Sequence, residues 1–191
     1  MADDAVGIAE LSATGTASAT TFLRGDNAWV APTDNGKVLQ VVSTTKTDTF
    51  TTTGTAFVDI TGFSVAITPS ATTSKVLIFV SMSCGAVKDT YAAFKVLRGA
   101  TTVAEGDTNA TATEVTFGTV FVDLASENYR MMSLNYNFLD SPSTTSATTY
   151  KVQVSPLRAA NRQFYLNRNY TISDANQMVS TSTITVMEIG A

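Results

Sequence analysis

Histidine is absent from the 191 residues, and cysteine occurs once. Without imidazole there is no Ser-His-Asp or Cys-His nucleophile activation, no His-ligated zinc or iron, and no histidine switch near neutral pH. The lone Cys84 excludes an intrachain disulfide and any cysteine-based metal cluster. It sits in the apolar run VLIFVSMSCG, which reads as a small buried core residue rather than a reactive thiol. Charge is also scarce: 15% of residues are charged, the formal net charge is -4, and the few Lys and Arg are scattered. No electrostatic footprint for nucleic acid is present. No apolar run approaches the length that crosses a bilayer, and the acidic start MADDAVGIAE lacks the parts of a signal peptide. These features predict a soluble protein made in a cytoplasm, without membrane insertion.

About one residue in six is threonine, and serine is abundant. β-branched, uncharged polar residues suit strands with one solvated face, so the composition predicts an all-β chain. The stretch 1–36 reads as a short extended segment: small and polar, with Gly7, Gly15, Gly25 and Gly36 as punctuation and no convincing strand pair through Pro32. Asp34-Asn35-Gly36 is a turn signal. From 37 to 191 apolar runs recur between turn clusters, and about ten strand candidates without helical periods predict a β-sandwich or barrel.

In TAFVDITGFSVAIT the alternation breaks at Gly62, a bulge signal. SKVLIFVSMS places Val76, Ile78, Val80 and Met82 on one face and reads as a central strand. A hairpin is expected at Arg98-Gly99-Ala100. In STITVMEI, Ile184, Val186 and Glu188 share one face while Met187 and Ile189 share the other, so this strand should be central or border a subunit interface. The preferred topology is an antiparallel jelly-roll-like sandwich, which strand count alone does not separate from other Greek-key sandwiches.

Two stretches together resemble tail-fibre-like virion proteins of tailed bacteriophages, of the marine and cyanobacterial phage type. TFLRGDNAWVAP, Thr21 to Pro32, resembles the segment that often precedes their distal domain. GKVLQVVS through SKVLIFVSMS resembles the opening of that distal β-domain, and NFLDSPSTTSATTYKVQV and STITVMEI fit its later strands. The resemblance runs from about Thr20 to Ile189. It implies a homotrimeric, surface-displayed domain joined to the virion through its N-terminal region, with a non-enzymatic role in host attachment. Long fibres carry extended shafts, whereas here only the 1–36 segment precedes the domain. A short fibre, a distal fragment, and a capsid-decorating or tail-assembly protein using the same domain therefore all stay open.

Arg24-Gly25-Asp26 spells an adhesion tripeptide, but in a trimer Phe22, Leu23 and Trp29 can share a core near the threefold axis. Gly25 would then permit a left-handed backbone, and Arg24 and Asp26 would pair across chains. Binding residues are sought in SPLRAANRQFYLNRNY, where Arg158, Asn161, Arg162, Tyr165, Arg168 and Tyr170 combine aromatic faces, amides and guanidinium groups suited to a host-surface glycan. The competing reading makes QFYLNR a strand with Phe164 and Leu166 in the core. Carboxylate pairs for catalysis, Glu105 with Asp107 or Asp123 with Glu127, read as solvated strand-end caps. Asp107, Asn109 and Glu114 match no calcium-loop spacing. No catalytic residue, metal or cofactor is expected.

Overall fold

Period-two alternation and long-range pairing build nearly every element of the computed structural model. It describes residues 12–33, 36–108, 111–122, 130–157, 162–173 and 175–191. The chain divides into two units, Met1–Asn35 and Gly36–Ala191. No helix occurs among the described residues.

The N-terminal unit holds a small hairpin, β1 (Phe22–Leu23) against β2 (Trp29–Val30), where the sequence suggested no strand pair. Strands of two residues are too short to show alternation; hydrogen bonds make them visible instead. Arg24 N donates to Ala28 O at 2.8 Å and Asn27 N to Arg24 O at 2.9 Å. A third stretch joins them, with Trp29 N donating to Thr14 O at 2.8 Å and Thr14 N to Asn27 O at 3.0 Å. The left-handed residue of the turn is Asn27 (φ 63°), not Gly25. Asparagine tolerates this region because its short polar side chain bonds locally, here Nδ2 to Ser12 O at 3.0 Å.

The second unit comprises β3 (Val38–Lys46), β4 (Phe50–Thr53), β5 (Val58–Ile67), β6 (Lys75–Ala86), β7 (Thr90–Arg98), β8 (Thr101–Val103), β9 (Phe117–Phe121), β10 (Met132–Asp140), β11 (Thr148–Pro156), β12 (Gln163–Leu166) and β13 (Ser182–Ile189). The long β6 pairs along one side with β13 and then β12, which in turn pair with β3 and β4; its other side carries β10. The second sheet runs β5, β11, β7, with β8 and β9 end to end beyond β7. All these pairings are antiparallel.

Counting β3/β4, β8/β9 and β12/β13 as single positions, the sheets read 1-8-3-6 and 2-7-4-5 in chain order. That order is the jelly roll, and it separates this fold from other Greek-key sandwiches.

The core lies between the sheets. Val76, Ile78, Val80 and Met82 of β6 and Ile184 and Val186 of β13 are all at most 1% exposed. Both strands are central, as their patterns indicated. Phe94 stacks on Phe117 at 4.9 Å and meets Phe164 edge-on at 5.5 Å, and Phe117 stacks on Tyr136 at 5.0 Å. Cys84 is fully buried in this core, and burial pushes its thiol pKa up, so it is unreactive. The expected bulge is present: the β5–β11 register shifts beside Gly62, whose φ is 75°. The β7–β8 hairpin turns at Gly99 with φ 61°.

One polar bridge ties the sheets together inside. Asp140, at the end of β10, accepts two hydrogen bonds from Arg98 Nη1 of β7 (2.8 and 2.7 Å) and one from the Tyr150 hydroxyl of β11 (2.7 Å). Burial and the Asp140 carboxylate both push the Tyr150 pKa up, so the hydroxyl stays protonated as donor.

Candidate functional site

The strand β12 sends Phe164 and Leu166 into the core, both fully buried, as the strand reading of QFYLNR required. Tyr165 points the other way, yet it too is only 2% exposed. Its ring lies under the Arg168 guanidinium, 4.4 Å from centroid to Cζ, and meets Tyr170 edge-on at 5.7 Å. Its hydroxyl donates to Gln163 Oε1. Burial raises the Tyr165 pKa. Three of the candidate binding residues therefore form one cluster, with the tyrosine face already occupied by its own arginine.

Arg162 stands apart, donating from Nη1 to Lys88 O at 2.6 Å with Asp89 at 3.8 Å. Arg158 and Asn161 lie outside the described residues, as do Asn109, Asp123, Glu127 and the Asp34-Asn35 turn.

Just past β12, Asn167 does work that the sequence did not announce. It is fully buried, with φ 64°. Its Nδ2 donates to Lys46 O and Asp48 O, both at 2.9 Å, and its Oδ1 accepts from Ser182 Oγ at 2.6 Å. Its backbone N donates to Ser83 O at 2.7 Å, and its carbonyl accepts from Ser180 N at 2.9 Å. With every polar group satisfied, this residue pins the β12–β13 connection across β6. An asparagine followed by arginine in a loop carries no sign of such a role, because its partners come from three other segments, 46–48, Ser83 and 180–182.

The Arg-Gly-Asp tripeptide forms the turn of the N-terminal hairpin. Arg24 Nε donates to Asp26 Oδ1 at 2.9 Å, and Nη2 also contacts this carboxylate. Within this chain the two charges pair with each other, because they stand two residues apart on one turn. The Asp26 pKa is lowered by this hydrogen bond and the Arg24 pKa raised. Phe22 and Leu23 remain exposed (46% and 38%), and Trp29 is half-buried.

Elsewhere, Glu105 is held by Lys95 Nζ at 2.5 Å, and Asp107 accepts from the backbone N of Thr108 at 2.8 Å. Among the described residues no group of three His, Cys, Asp or Glu could hold a metal ion.

The outer faces of the two sheets differ in charge. The outer face of the first sheet presents Leu77, Phe79, Ser81 and Ser83 from β6, Asn135, Asn137 and Leu139 from β10, Thr183, Thr185, Met187 and Ile189 from β13, and Val41, Ser43 and Thr45 from β3. The register aligns Val41, Met187, Leu77 and Leu139 into one apolar row across four strands. The charge on these strands' outer face is Lys75, at its rim, donating to Ser141 Oγ at 2.9 Å.

No family model matches the chain, and no curated protein matches it. Solved structures similar to it include the infectious bursal disease virus VP2 subviral particle, at 16% identity and a TM-score of 0.45, and the Gt strain of that virus, at 11% and 0.42. T=1 particles derived from the same virus are similar at 14% identity and 0.40. The likeness covers 85% of this chain in each case, but this chain spans only 35%, 40% and 38% of those chains. Scores of this size carry no argument about this chain, and the jelly roll rests on its own strand order.

Proposed function

We propose that the chain is a non-enzymatic structural protein of a tailed-phage virion, a trimeric short tail fibre or distal fibre domain that attaches the particle to a host surface. The observation that supports this best is the outer face of the first sheet. The part of that face formed by β3, β6, β10 and β13, with Lys75 at its rim and a continuous apolar row, has the composition of an interface core, where charged residues are depleted. Further copies of the chain are the occupant, and Phe22, Leu23 and Trp29 extend the same association at the N-terminal hairpin or dock it on other virion proteins. Loops on the rigid sandwich then meet a host glycan several at a time, where avidity raises weak individual contacts. The Arg-Gly-Asp turn has a structural part in this reading, since its charges satisfy each other.

Antibody-labelled electron microscopy of purified particles carrying the protein tests the assignment. Label at the tail supports attachment. Label spread over the capsid replaces it with a decorating role for the same domain, and particles without label remove the virion reading.

A further inference from the structure

Five arginines lie among the described residues, and they fall into two groups. Arg24, Arg98 and Arg162 each face a carboxylate. Arg130 and Arg168 have none among the described residues. All three guanidinium nitrogens of Arg130 and Nε of Arg168 are shut off from solvent without a hydrogen-bond partner there. Nδ2 of the fully buried Asn169 and Oγ of Ser180 are unpartnered in the same way.

The backbones of Arg130, Arg168 and Asn169 meet at one place in the fold, and Ser180 N donates to the nearby Asn167 carbonyl at 2.9 Å. A methyl group added at Gly85 of β6 would overlap the Arg168 carbonyl oxygen, and would meet the Arg130 carbonyl oxygen at 3.2 Å and Asn169 Cα at 3.3 Å. Two chain segments thus cross over Gly85, which only a residue without a side chain permits. Arg168 bridges to Val179, and Met178 N donates to Asn169 Oδ1 at 2.5 Å. That bond fixes the amide so that Nδ2 is the free donor. Ser180 lines a cavity of about 260 Å³ with Ser83, Met131 and Met178, and Met131 directly follows Arg130 in the chain.

Every unsatisfied group here is a donor or, for Ser180, can act as one, and two are permanent cations. A guanidinium cannot shed its proton, so burial cannot be relieved by neutralisation. Water could accept the hydrogen bonds but would leave the Arg130 charge uncompensated and the Arg168 charge met by the Tyr165 ring alone. An oxyanion does both.

We infer that the crossing over Gly85 is an anion-binding site for a carboxylate, sulfate or phosphate group, held by Arg130 and Arg168 with Asn169 and Ser180 as neutral donors. Charge-assisted bonds from a planar guanidinium match such oxygens. The site stands independently of the attachment role. Its ligand is either a free inorganic anion or an acidic group on a polysaccharide.

Titration calorimetry of the intact chain with inorganic phosphate at constant ionic strength tests it. One saturable site per chain is expected, weakened at least tenfold in both Arg130→Gln and Arg168→Gln and unchanged in Arg24→Gln. Circular dichroism checks that each variant is folded; if Arg130→Gln is not, Arg168→Gln alone decides. Absence of saturable heat, or equal affinity in the folded Arg variants, overturns the site. Polygalacturonate and neutral dextran passed over immobilised protein separate the sources. Retention of the acidic polymer alone, displaced by phosphate, identifies a glycan acid; no retention alongside phosphate binding identifies a free ion. Loss of the site leaves particle labelling unaffected, so the two readings fail separately.

Discussion

The two sheets of the sandwich turn very different outer faces outward. On the second sheet, Lys151 and Gln153 of β11 grip Asp59 of β5 at 2.7 and 2.8 Å, and Lys95 of β7 pairs with Glu105 while lying 5.0 Å over the Phe57 ring. Those contacts are what a sheet facing water makes: weak individually, screened, and solubilising. On β3, β6, β10 and β13 of the first sheet the equivalent positions hold threonine, serine, asparagine and an apolar row, with Lys75 at the rim. Inner faces of both sheets are alike, so core packing does not account for the difference. What the contrast teaches is that one face has been left compatible with a protein partner.

Removing the inner bridge between the sheets carries the largest effect on stability, and it sets the scale for changes outside. Asp140→Ala leaves the Tyr150 hydroxyl and Arg98 without their acceptor, and a loss of about 3–5 kcal/mol is expected in urea unfolding, as for one partner removed from a buried pair. A loss under about 1 kcal/mol would mean that the bridge contributes little.

Next in size is a charge on the first sheet's outer face. Phe79→Asp should fold with a near-normal midpoint yet weaken self-association at least about tenfold, because an unpaired charge would be desolvated in the interface. Gln153→Glu on the second sheet should change association little. Equal effects from both variants would erase the proposed distinction between the faces.

A moderate effect belongs to Glu188, 2% exposed on the inner side of β13. Burial works to raise its pKa, but the Ser70 hydroxyl and backbone N, at 2.6 and 2.7 Å, outweigh it and the net pKa lies below the ordinary 4.5. A depressed folded pKa contributes stability that is fully present above the unfolded value and lost as pH falls from about 4.5 through the folded pKa. Urea midpoints of wild type and Glu188→Gln should therefore differ at neutral pH and draw together progressively as pH falls below about 4.5. A constant gap across that window would contradict it.

The smallest effect is expected at Lys151→Met. Its pair with Asp59 lowers the Asp59 pKa, but Asp59 is half exposed and solvent screening leaves about 0.5 kcal/mol or less. A change above about 1 kcal/mol would give the charged face a structural importance denied to it here.

Much of the sandwich was legible in the sequence because one solvated and one buried face impose period two. β6, β13, the Gly62 bulge and the Gly99 hairpin could all be read that way. β4 could not: Phe50 stands alone among threonines, and its pairing depends on β12 continuing the line of β13 along β6. The jelly-roll order is likewise non-local, fixed by which edges meet. In the binding region, the sequence brought Tyr165, Arg168 and Tyr170 into view, and the structure clusters them. Arg130 and Asn169 carried no signal, since only the crossing over Gly85 brings backbone so far apart in sequence to one place. The N-terminal hairpin escaped notice for the opposite reason: its strands are too short to alternate.

Self-association through the first sheet is the central claim, and light scattering of the intact chain after size exclusion tests it most directly. The account predicts a particle of three times the 20.2 kDa chain mass, falling toward the single-chain value in Phe79→Asp. A monodisperse 20.2 kDa monomer at micromolar concentration would contradict it.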